Sequence, residues 1–219
     1  MKKLESSLLN MVLVLVGVAL IMGGLLALVN HATHEKIDQQ AEKALADGIK
    51  KVMGTDKLQV TAKDTVAVTE KKGKTIEYII NKVADEKGNE LGAAVESTTM
   101  GFGGDLKVLV GFNLEGDILG YTLLAHAETP GLGAKADTWF QKDQKGDIIG
   151  KNPGKAKDPE KGLTVSKDGG EVEAITASTI TSRAFLNAVN EAYNVYLNKN
   201  TDAHTGATKV ANNKKEDVL

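Results

Sequence analysis

The chain has 219 residues, enough for one folded domain and a membrane segment but short for two independent domains. Its 27 basic and 29 acidic residues leave a formal net charge of -2, which gives no electrostatic reason to expect nucleic acid as a partner. Because the chain contains no cysteine, a disulfide framework, a thiolate zinc site, an iron–sulfur cluster and a thioether-linked haem are excluded.

The N-terminal region predicts a single transmembrane helix over residues 8–30. Every residue from Met11 to Val29 is apolar or glycine, and at about 1.5 Å per residue this run nearly spans the roughly 30 Å hydrocarbon core of a bilayer. Lys2 and Lys3 precede it, whereas the residues after it carry both signs of charge. The positive-inside rule therefore predicts a cytoplasmic N-terminus at 1–7 in the cell (inner) membrane, with the following domain on the external, periplasmic face. The alternative is a cleaved signal peptide, but the run is longer than a typical signal core and no clean cleavage site follows it.

Residues 31–57, beyond the membrane segment, predict a stalk helix. Apolar residues recur there at intervals of three and four, which places them on one face of an amphipathic helix: Ile37, Ala41, Leu45, Ile49 and Val52.

The region 58–197 predicts an antiparallel sheet followed by a packed helix, so the expected fold class is α+β. Five segments rich in Val, Ile, Leu and Thr alternate with short polar turns and are interpreted as strands: Leu58–Val68, Thr75–Val83, Glu90–Glu96, Leu106–Asn113 and Ile118–His126. Residues 141–168 are rich in lysine, glycine and proline, which indicates a surface excursion. Apolar residues at helical spacing then predict a helix over Arg183–Leu197 that packs on the sheet. The last segment, 198–219, is polar and is expected to form a tail without a core.

Three loop segments are candidates for the walls of a ligand pocket: Gly101–Asp105, His126–Gly133 and Ala174–Ser182. Glycine lets a backbone approach a planar ligand closely, although glycine-rich turns are more often only turns. His126 and Glu128 could hydrogen-bond a ligand ring or tune a titration, or the histidine could cap the end of a strand. The pattern assigns no general acid or base, and we expect no catalytic side chain and no metal ligand.

The third loop concentrates hydroxyl groups directly before the predicted helix. Its serines and threonines are Thr176, Ser178, Thr179, Thr181 and Ser182. Unpaired N–H groups and the positive end of the helix dipole favour an anion at a helix start, so a phosphate would bind well there. A helix N-cap needs only one hydroxyl, from Thr181 or Ser182, and does not account for the others.

Together, these segments resemble the FMN-binding domain of the G subunit of the Rnf electron transport complex, and of its relative, the C subunit of the sodium-translocating NADH:quinone reductase. The resemblance covers most of the chain and rests on the order and spacing of the membrane helix, Gly101-Phe102-Gly103-Gly104, His126-Ala127-Glu128-Thr129-Pro130-Gly131-Leu132-Gly133, Ala174-Ile175-Thr176 and Thr181-Ser182-Arg183-Ala184. The Glu-Thr-Pro-Gly-Leu-Gly loop favours the first of these two types.

The resemblance implies one flavin mononucleotide (FMN) bonded covalently, as a phosphoester, to a threonine. In this family a flavin transferase of the ApbE type uses FAD as donor, and a threonine hydroxyl attacks the pyrophosphate. We expect Thr179 to be the attachment site, because a helix that can receive the phosphate follows it. The runner-up is Thr208, since residues 202–208 fit the family motif literally, and both threonines could carry flavin.

The segment around Thr179 departs from the family motif at two positions, where Ala177 replaces glycine and Ser178 replaces alanine. Glu173 stands at the acidic position of the motif and Thr176 at its hydroxyl position. Both replacements exchange one small residue for another, so we expect the modification to survive. The residues expected to bind the cofactor are Gly103, Gly104, His126, Glu128, Thr129, Gly131, Leu132, Gly133, Thr176, Ser178, Ile180 and Thr181.

The resemblance also implies a function: the covalent-FMN electron carrier of a membrane-bound, ion-translocating ferredoxin:NAD oxidoreductase (Rnf) complex, without independent substrate turnover. The expected partners are the other membrane subunits of that complex, the flavin transferase and the lipid bilayer. One alternative is a C-type subunit of the sodium-translocating NADH:quinone reductase or another membrane-anchored flavoprotein. A second alternative, from another class, is a membrane-tethered binding module without redox chemistry.

Overall fold

The computed structural model describes residues 8–69 and 75–197, and it confirms the predicted α+β class. The predicted start at 1–7 and tail at 198–219 lie outside the described residues. The chain consists of two compact units, Met1–Leu45 and Ala46–Leu219. In chain order the helices and strands are α1 (Leu8–Met53), β1 (Gln59–Thr69), β2 (Thr75–Ala84), β3 (Glu90–Met100), β4 (Asp105–Asn113), β5 (Ile118–His126), α2 (Ala136–Trp139) and α3 (Thr179–Tyr196).

α1 is one continuous helix that includes both the predicted membrane segment at 8–30 and most of the predicted stalk at 31–57. Its N-terminal part exposes large apolar side chains and is long and apolar enough to cross a membrane once. The helix ends at Met53 instead of residue 57, because Gly54 takes up the left-handed conformation with φ +67. Such a residue commonly closes a helix.

The five strands form one antiparallel sheet in the order β1-β2-β3-β4-β5. The observed strands agree with the predicted ones, with the largest difference at the end of β3. This strand continues to Met100, beyond the predicted end at Glu96, because Ser97 to Met100 pair with Val108 to Asp105 of β4. The extension brings the β3–β4 pair up to the glycine-rich turn between the two strands.

α3 packs across β3 and β4 and covers the main hydrophobic core. The ring of Phe112 on β4 lies 5.9 Å from the ring of Tyr193 and 5.6 Å from that of Tyr196, measured between centroids. Phe185, further towards the N-terminus of the helix, contacts Tyr121 of β5 at 4.7 Å. Aromatic contacts of this kind add to the stabilisation from apolar burial, so they fix α3 along the sheet.

The last turns of α1 cover the opposite face of the sheet. Gly111 of β4 and Gly120 of β5 are paired in register, and the backbone of Val52 lies directly over them. A Cβ atom at Gly111 or Gly120 would lie 2.6 or 2.8 Å from the Val52 carbonyl oxygen, so only glycine admits the helix this closely. Ile49, Val52 and Met53 are buried by this contact.

Residues 141–168 are not the surface excursion that their composition predicted. Ile148 and Leu163 are fully buried and belong to the main core. The segment also bonds to β5, since the Ile118 N–H donates to the Lys151 carbonyl at 2.9 Å. Its buried residues come from irregular backbone and therefore show no sequence period.

Candidate functional site

A cavity of about 360 Å³ lies where the β3–β4 turn, the loop after β5 and the first turn of α3 meet. All three loops that the sequence singled out contribute to it. The lining residues are Phe102, Glu128, Thr129, Leu132, Gly133, Ala177, Ser178, Thr179, Ile180 and Thr181.

The β3–β4 turn forms one wall of the cavity. It is closed by a hydrogen bond from the Gly101 N–H to the Gly104 carbonyl at 2.8 Å. A Cβ atom at Gly103 would overlap the Ala127 carbonyl oxygen, so glycine lets this turn pack against the loop after β5. Phe102 keeps 67% of its surface exposed although it lines the cavity, which leaves an aromatic ring available to a ligand.

The loop after β5 forms a second wall. The N–H groups of Leu132 and Ala134 both donate to the Thr129 carbonyl at 3.2 Å, which keeps the loop compact. Gly131 has φ +75, in the left-handed region that favours glycine. This geometry leaves the Leu132 side chain 43% exposed at the cavity.

Glu128 is a buried carboxylate at the junction of the three loops, with only 5% of its surface exposed. Its Oε1 accepts hydrogen bonds from the N–H groups of Phe102 at 2.7 Å and Gly103 at 3.4 Å. Its Oε2 accepts a hydrogen bond from the Thr181 hydroxyl at 2.7 Å. The side chain thereby connects the β3–β4 turn to the first turn of α3, while its own N–H donates to His126 Nδ1 at 3.3 Å.

α3 begins at Thr179 instead of the predicted Arg183, so the hydroxyl-rich segment forms its first turn. Ser178 is the N-cap residue, but its side chain makes no capping hydrogen bond. Thr181 and Ser182, the N-cap candidates from the sequence, lie inside the helix, and the Ser182 hydroxyl donates to the Ser178 carbonyl at 2.9 Å. The N-cap interpretation is therefore wrong for both residues.

The Thr179 hydroxyl lies at the cavity and accepts a hydrogen bond from Lys167 Nζ at 3.2 Å. Thr179 is partly exposed, whereas the other hydroxyls of the first turn are buried. Ala177, just before the helix, has φ +61, which is uncommon for a residue with a side chain. The chain thus turns sharply into α3 and presents one accessible hydroxyl beside a cation.

Arg183 holds the segment that carries Lys167 against α3. Its Nε and Nη2 donate to the two carboxylate oxygens of Asp168 at 2.6 and 2.7 Å, a bidentate pair. The hydrogen bond with Asp168 raises the pKa of Arg183, while partial burial opposes this shift. The pair fixes the residue next to Lys167 and so keeps the lysine close to Thr179.

The structure brings many of the predicted cofactor-binding residues together with Thr179 around the cavity: Glu128, Thr129, Leu132, Gly133, Ser178, Ile180 and Thr181. Five other predicted residues lie in the same loops but do not line it: Gly103, Gly104, His126, Gly131 and Thr176. Phe102 and Ala177 line the cavity without having been predicted as binding residues. An aromatic residue inside a glycine-rich turn was the signal for Phe102. The runner-up Thr208 lies outside the described residues.

The chemistry of the cavity fits FMN. Its volume falls within the roughly 300–1,000 Å³ of small-molecule pockets, towards the lower end. Phe102, Leu132 and Ile180 offer apolar contacts for a planar ring. Lys167 and the N-terminus of α3 offer positive charge for a phosphate.

Two family models match this chain. Residues 101–194 match the family described as FMN-binding domain, and this range includes every residue that lines the cavity. Residues 1–52 match the family described as RnfG N-terminal region, which corresponds to nearly all of α1.

Relatives named as the G subunit of an ion-translocating oxidoreductase complex match over most of their length. The relative from Shewanella baltica is 34% identical over 189 residues, which cover 83% of this chain and 85% of the relative. That from Shewanella oneidensis is 34% identical over 180 residues, covering 80% and 82%. That from Vibrio cholerae is 32% identical over 190 residues, covering 85% and 88%. Because the similarity extends over most of each chain at this identity, the protein belongs to the RnfG family, the G subunits of ion-translocating oxidoreductase complexes.

Proposed function

We propose that this chain carries FMN as a phosphodiester on Thr179 and relays electrons within a membrane-bound, ion-translocating ferredoxin:NAD oxidoreductase (Rnf) complex. The match to the FMN-binding domain and the names of the relatives support the cofactor and the complex. The observation that carries the attachment site is the Thr179 hydroxyl at the cavity, 3.2 Å from Lys167 Nζ.

Thr179 is favoured over its neighbours in the helix because their hydroxyls are buried, and two of them are hydrogen-bonded within the domain. The Thr181 hydroxyl donates to Glu128, and the Ser182 hydroxyl donates to the Ser178 carbonyl. The Thr179 oxygen only accepts a hydrogen bond, from Lys167, and within residues 8–69 and 75–197 no group accepts its proton. The Ser178 side chain makes no capping hydrogen bond, but the residue is only 8% exposed. Among the hydroxyls at this helix start, Thr179 is therefore the one that is accessible at the cavity and whose modification breaks no internal hydrogen bond of the helix.

The first turn of α3 would stabilise the phosphate of such an ester. An 18-residue helix carries a partial positive charge at its N-terminus, where the first N–H groups have no partner within the helix. Lys167 adds a full positive charge at the same place. Together these groups offset the negative charge that the phosphate brings.

The remaining walls of the cavity would hold the flavin ring. Bound FMN supplies one-electron and two-electron transfer, and the protein supplies its position and surroundings. Phe102, Leu132 and Ile180 would pack against the ring and exclude water from part of it. Electron relay of this kind requires no catalytic side chain and no independent turnover of a substrate.

α1 would anchor the domain in the lipid bilayer beside the other Rnf subunits. Its exposed apolar part and the lysines before it support an N-terminus in the cytoplasm and an FMN domain on the periplasmic or external side. Maturation would require a flavin transferase of the ApbE type on the side of the membrane where the domain lies.

The test is mass spectrometry of the full chain matured with its transferase. Thr179→Val should abolish the flavin adduct on the tryptic peptide 168–183 and leave the thermal unfolding midpoint nearly unchanged, because it keeps the shape of the side chain and removes the nucleophile. Thr138→Val is the matched control, since Thr138 is exposed, does not line the cavity and lies outside the motif around Thr179, and it should retain the adduct. Flavin found only on the peptide 200–209, which contains Thr208, would refute the assignment to Thr179.

A further inference from the structure

Glu128 is the most constrained polar side chain of the cavity. Three donors from two different segments converge on one carboxylate that is 5% exposed. A carboxylate that accepts several hydrogen bonds in a buried position is expensive to desolvate, and its donors cannot easily find other partners. The Glu128 carboxylate is therefore a structural element of the cavity wall.

Two glycines make room for this carboxylate. A Cβ atom at Gly101 would overlap Glu128 Oε1, and a Cβ atom at Gly133 would overlap Oε2 and lie 2.7 Å from the Thr181 hydroxyl oxygen. Neither glycine has a positive φ, so a backbone conformation does not account for them. Both are instead explained by the space that the carboxylate occupies.

Within residues 8–69 and 75–197, the charge of Glu128 has no cationic partner. All of its side-chain hydrogen bonds come from main-chain N–H groups or a hydroxyl, and in the described part of the chain it forms no ion pair. The nearby cation–anion pair joins Arg183 to Asp168. A buried negative charge without a counter-ion acts strongly on whatever occupies the adjacent cavity, because the surrounding medium has a low dielectric constant.

We infer that Glu128 is a positioning residue of the flavin site: its hydrogen bonds hold the Phe102 turn and the first turn of α3 together as walls, and its negative charge lowers the reduction potential of the bound FMN. The sign follows from Coulomb repulsion, since a negative charge beside the ring opposes the addition of an electron. The second half of this inference rests on the proposed function, whereas the first half concerns the polypeptide alone.

Two substitutions separate these effects. Glu128→Ala removes both the hydrogen bonds and the charge. Glu128→Gln keeps an oxygen that can accept from the Phe102 N–H and an amide that can donate to the Thr181 oxygen, so it keeps the shape and removes the charge. Thr181→Val removes only the donor from α3, and Thr181→Ser restores it. This second pair keeps the test available should Glu128→Ala fail to fold.

The first measurement is hydrogen–deuterium exchange on the full chain without flavin. In Glu128→Ala we expect amide exchange in residues 101–104 to rise about tenfold or more, because hydrogen bonds to a carboxylate are among the stronger ones. Glu128→Gln should show a much smaller rise, because its amide oxygen still accepts from the Phe102 N–H, although a neutral acceptor is weaker than a carboxylate. Thr181→Val should raise amide exchange at the start of α3, whereas Thr181→Ser should leave it unchanged. Unchanged exchange in both Glu128→Ala and Thr181→Val would overturn the inference.

The second measurement is a redox titration of the flavin-loaded full chain, followed by absorbance. Glu128→Gln should shift the FMN midpoint potential to more positive values. An unchanged potential in Glu128→Gln would show that the carboxylate is only structural and would overturn its effect on the flavin. Absence of covalent flavin from the wild type would instead contradict the proposed function, and the exchange experiment would still decide whether Glu128 organises the cavity.

Discussion

Glu96 and Glu128 are both buried carboxylates of the same domain, 4% and 5% exposed, but their partners differ. Glu96, on the face of the sheet covered by α1, pairs with Lys107 Nζ at 2.7 Å. Glu128, at the cavity, is bonded by main-chain N–H groups and a hydroxyl. The first carboxylate is neutralised within the packed structure, while the second keeps its charge available to a ligand.

The glycines of the two regions differ in the same way. Gly111 and Gly120 leave space that the backbone of Val52 fills, so they serve packing. Gly101 and Gly133 leave space for the carboxylate that borders an open cavity. Glycine in a strand or turn therefore marks a close approach, but only the structure shows whether a helix or a ligand site lies opposite.

The largest loss of stability is expected at the close contact between Gly111 and the backbone of Val52. Gly111→Leu should lower the free energy of unfolding by about 3 kcal/mol, because its side chain would overlap the Val52 backbone, and overpacking of a core typically costs this much. Urea unfolding of the full chain in detergent measures the change.

The next effect concerns the neutralised carboxylate. Lys107→Met should lower the free energy of unfolding by about 2 kcal/mol, because Glu96 would keep its charge in a buried position without a cation. The loss is smaller than for a fully buried ion pair, because the lysine side chain is 39% exposed. Adding Glu96→Gln should recover most of the loss. Lys82→Met removes a lysine from an ion pair whose two side chains are both 50% exposed and should have little measurable effect. If Lys107→Met unfolds at the same urea concentration as the wild type, the stability of the domain with Glu96 buried does not depend on this ion pair.

A smaller loss is expected for Gly131→Ala at the cavity loop, which is also the control for Gly111→Leu. Among the residues that the structure describes, no atom beyond the adjacent residues lies within 4 Å of a Cβ there. Only the positive φ opposes the substitution, so we expect a loss of about 1 kcal/mol. Urea unfolding under the same conditions measures it. Equal losses of unfolding free energy for Gly111→Leu and Gly131→Ala would contradict the contrast between the packed contact of Gly111 with Val52 and the open surroundings of Gly131.

The last prediction concerns the rate of flavin attachment and Lys167, an exposed cation at the cavity. Lys167→Met should slow flavin attachment about fivefold, as expected for the loss of roughly 1 kcal/mol of screened attraction to a phosphate. Lys167→Arg should restore most of the rate. The control is Lys161→Met, whose lysine pairs with Asp158 on the same segment. In-gel flavin fluorescence over time gives the rates, and equal rates for Lys167→Met and Lys161→Met would exclude a role for Lys167.

Much of the sheet could be predicted because its determinants are local. The alternation of apolar segments with polar turns predicted all five strands, and Ile118–His126 agrees at both ends. The start of α3 could not be predicted in this way. Its first turn consists of Thr179, Ile180, Thr181 and Ser182, residues with weak helix propensity, and the turn is stabilised by bonds to distant partners such as Glu128.

Only part of the candidate site could be predicted from the sequence, for a related reason. The three loops could be identified from glycine and hydroxyl content, but the role of Glu128 depends on Phe102 and Thr181, which are 26 and 53 residues away in the chain. No periodicity or local motif encodes such a contact. Lys167 was missed likewise, because it comes from a segment whose composition indicated an exposed surface.

The amino-acid sequence by itself determined the long N-terminal apolar helix, the antiparallel strands and the family resemblance, because hydrophobic period, turn residues and motif order are properties of neighbouring residues. Only the tertiary structure decided which hydroxyl stays accessible, which glycines face a helix and which face a cavity, and which carboxylate lacks a cation. These features depend on distances between segments far apart in the chain, and such distances are set by how α3 and the last turns of α1 pack on the two faces of the sheet.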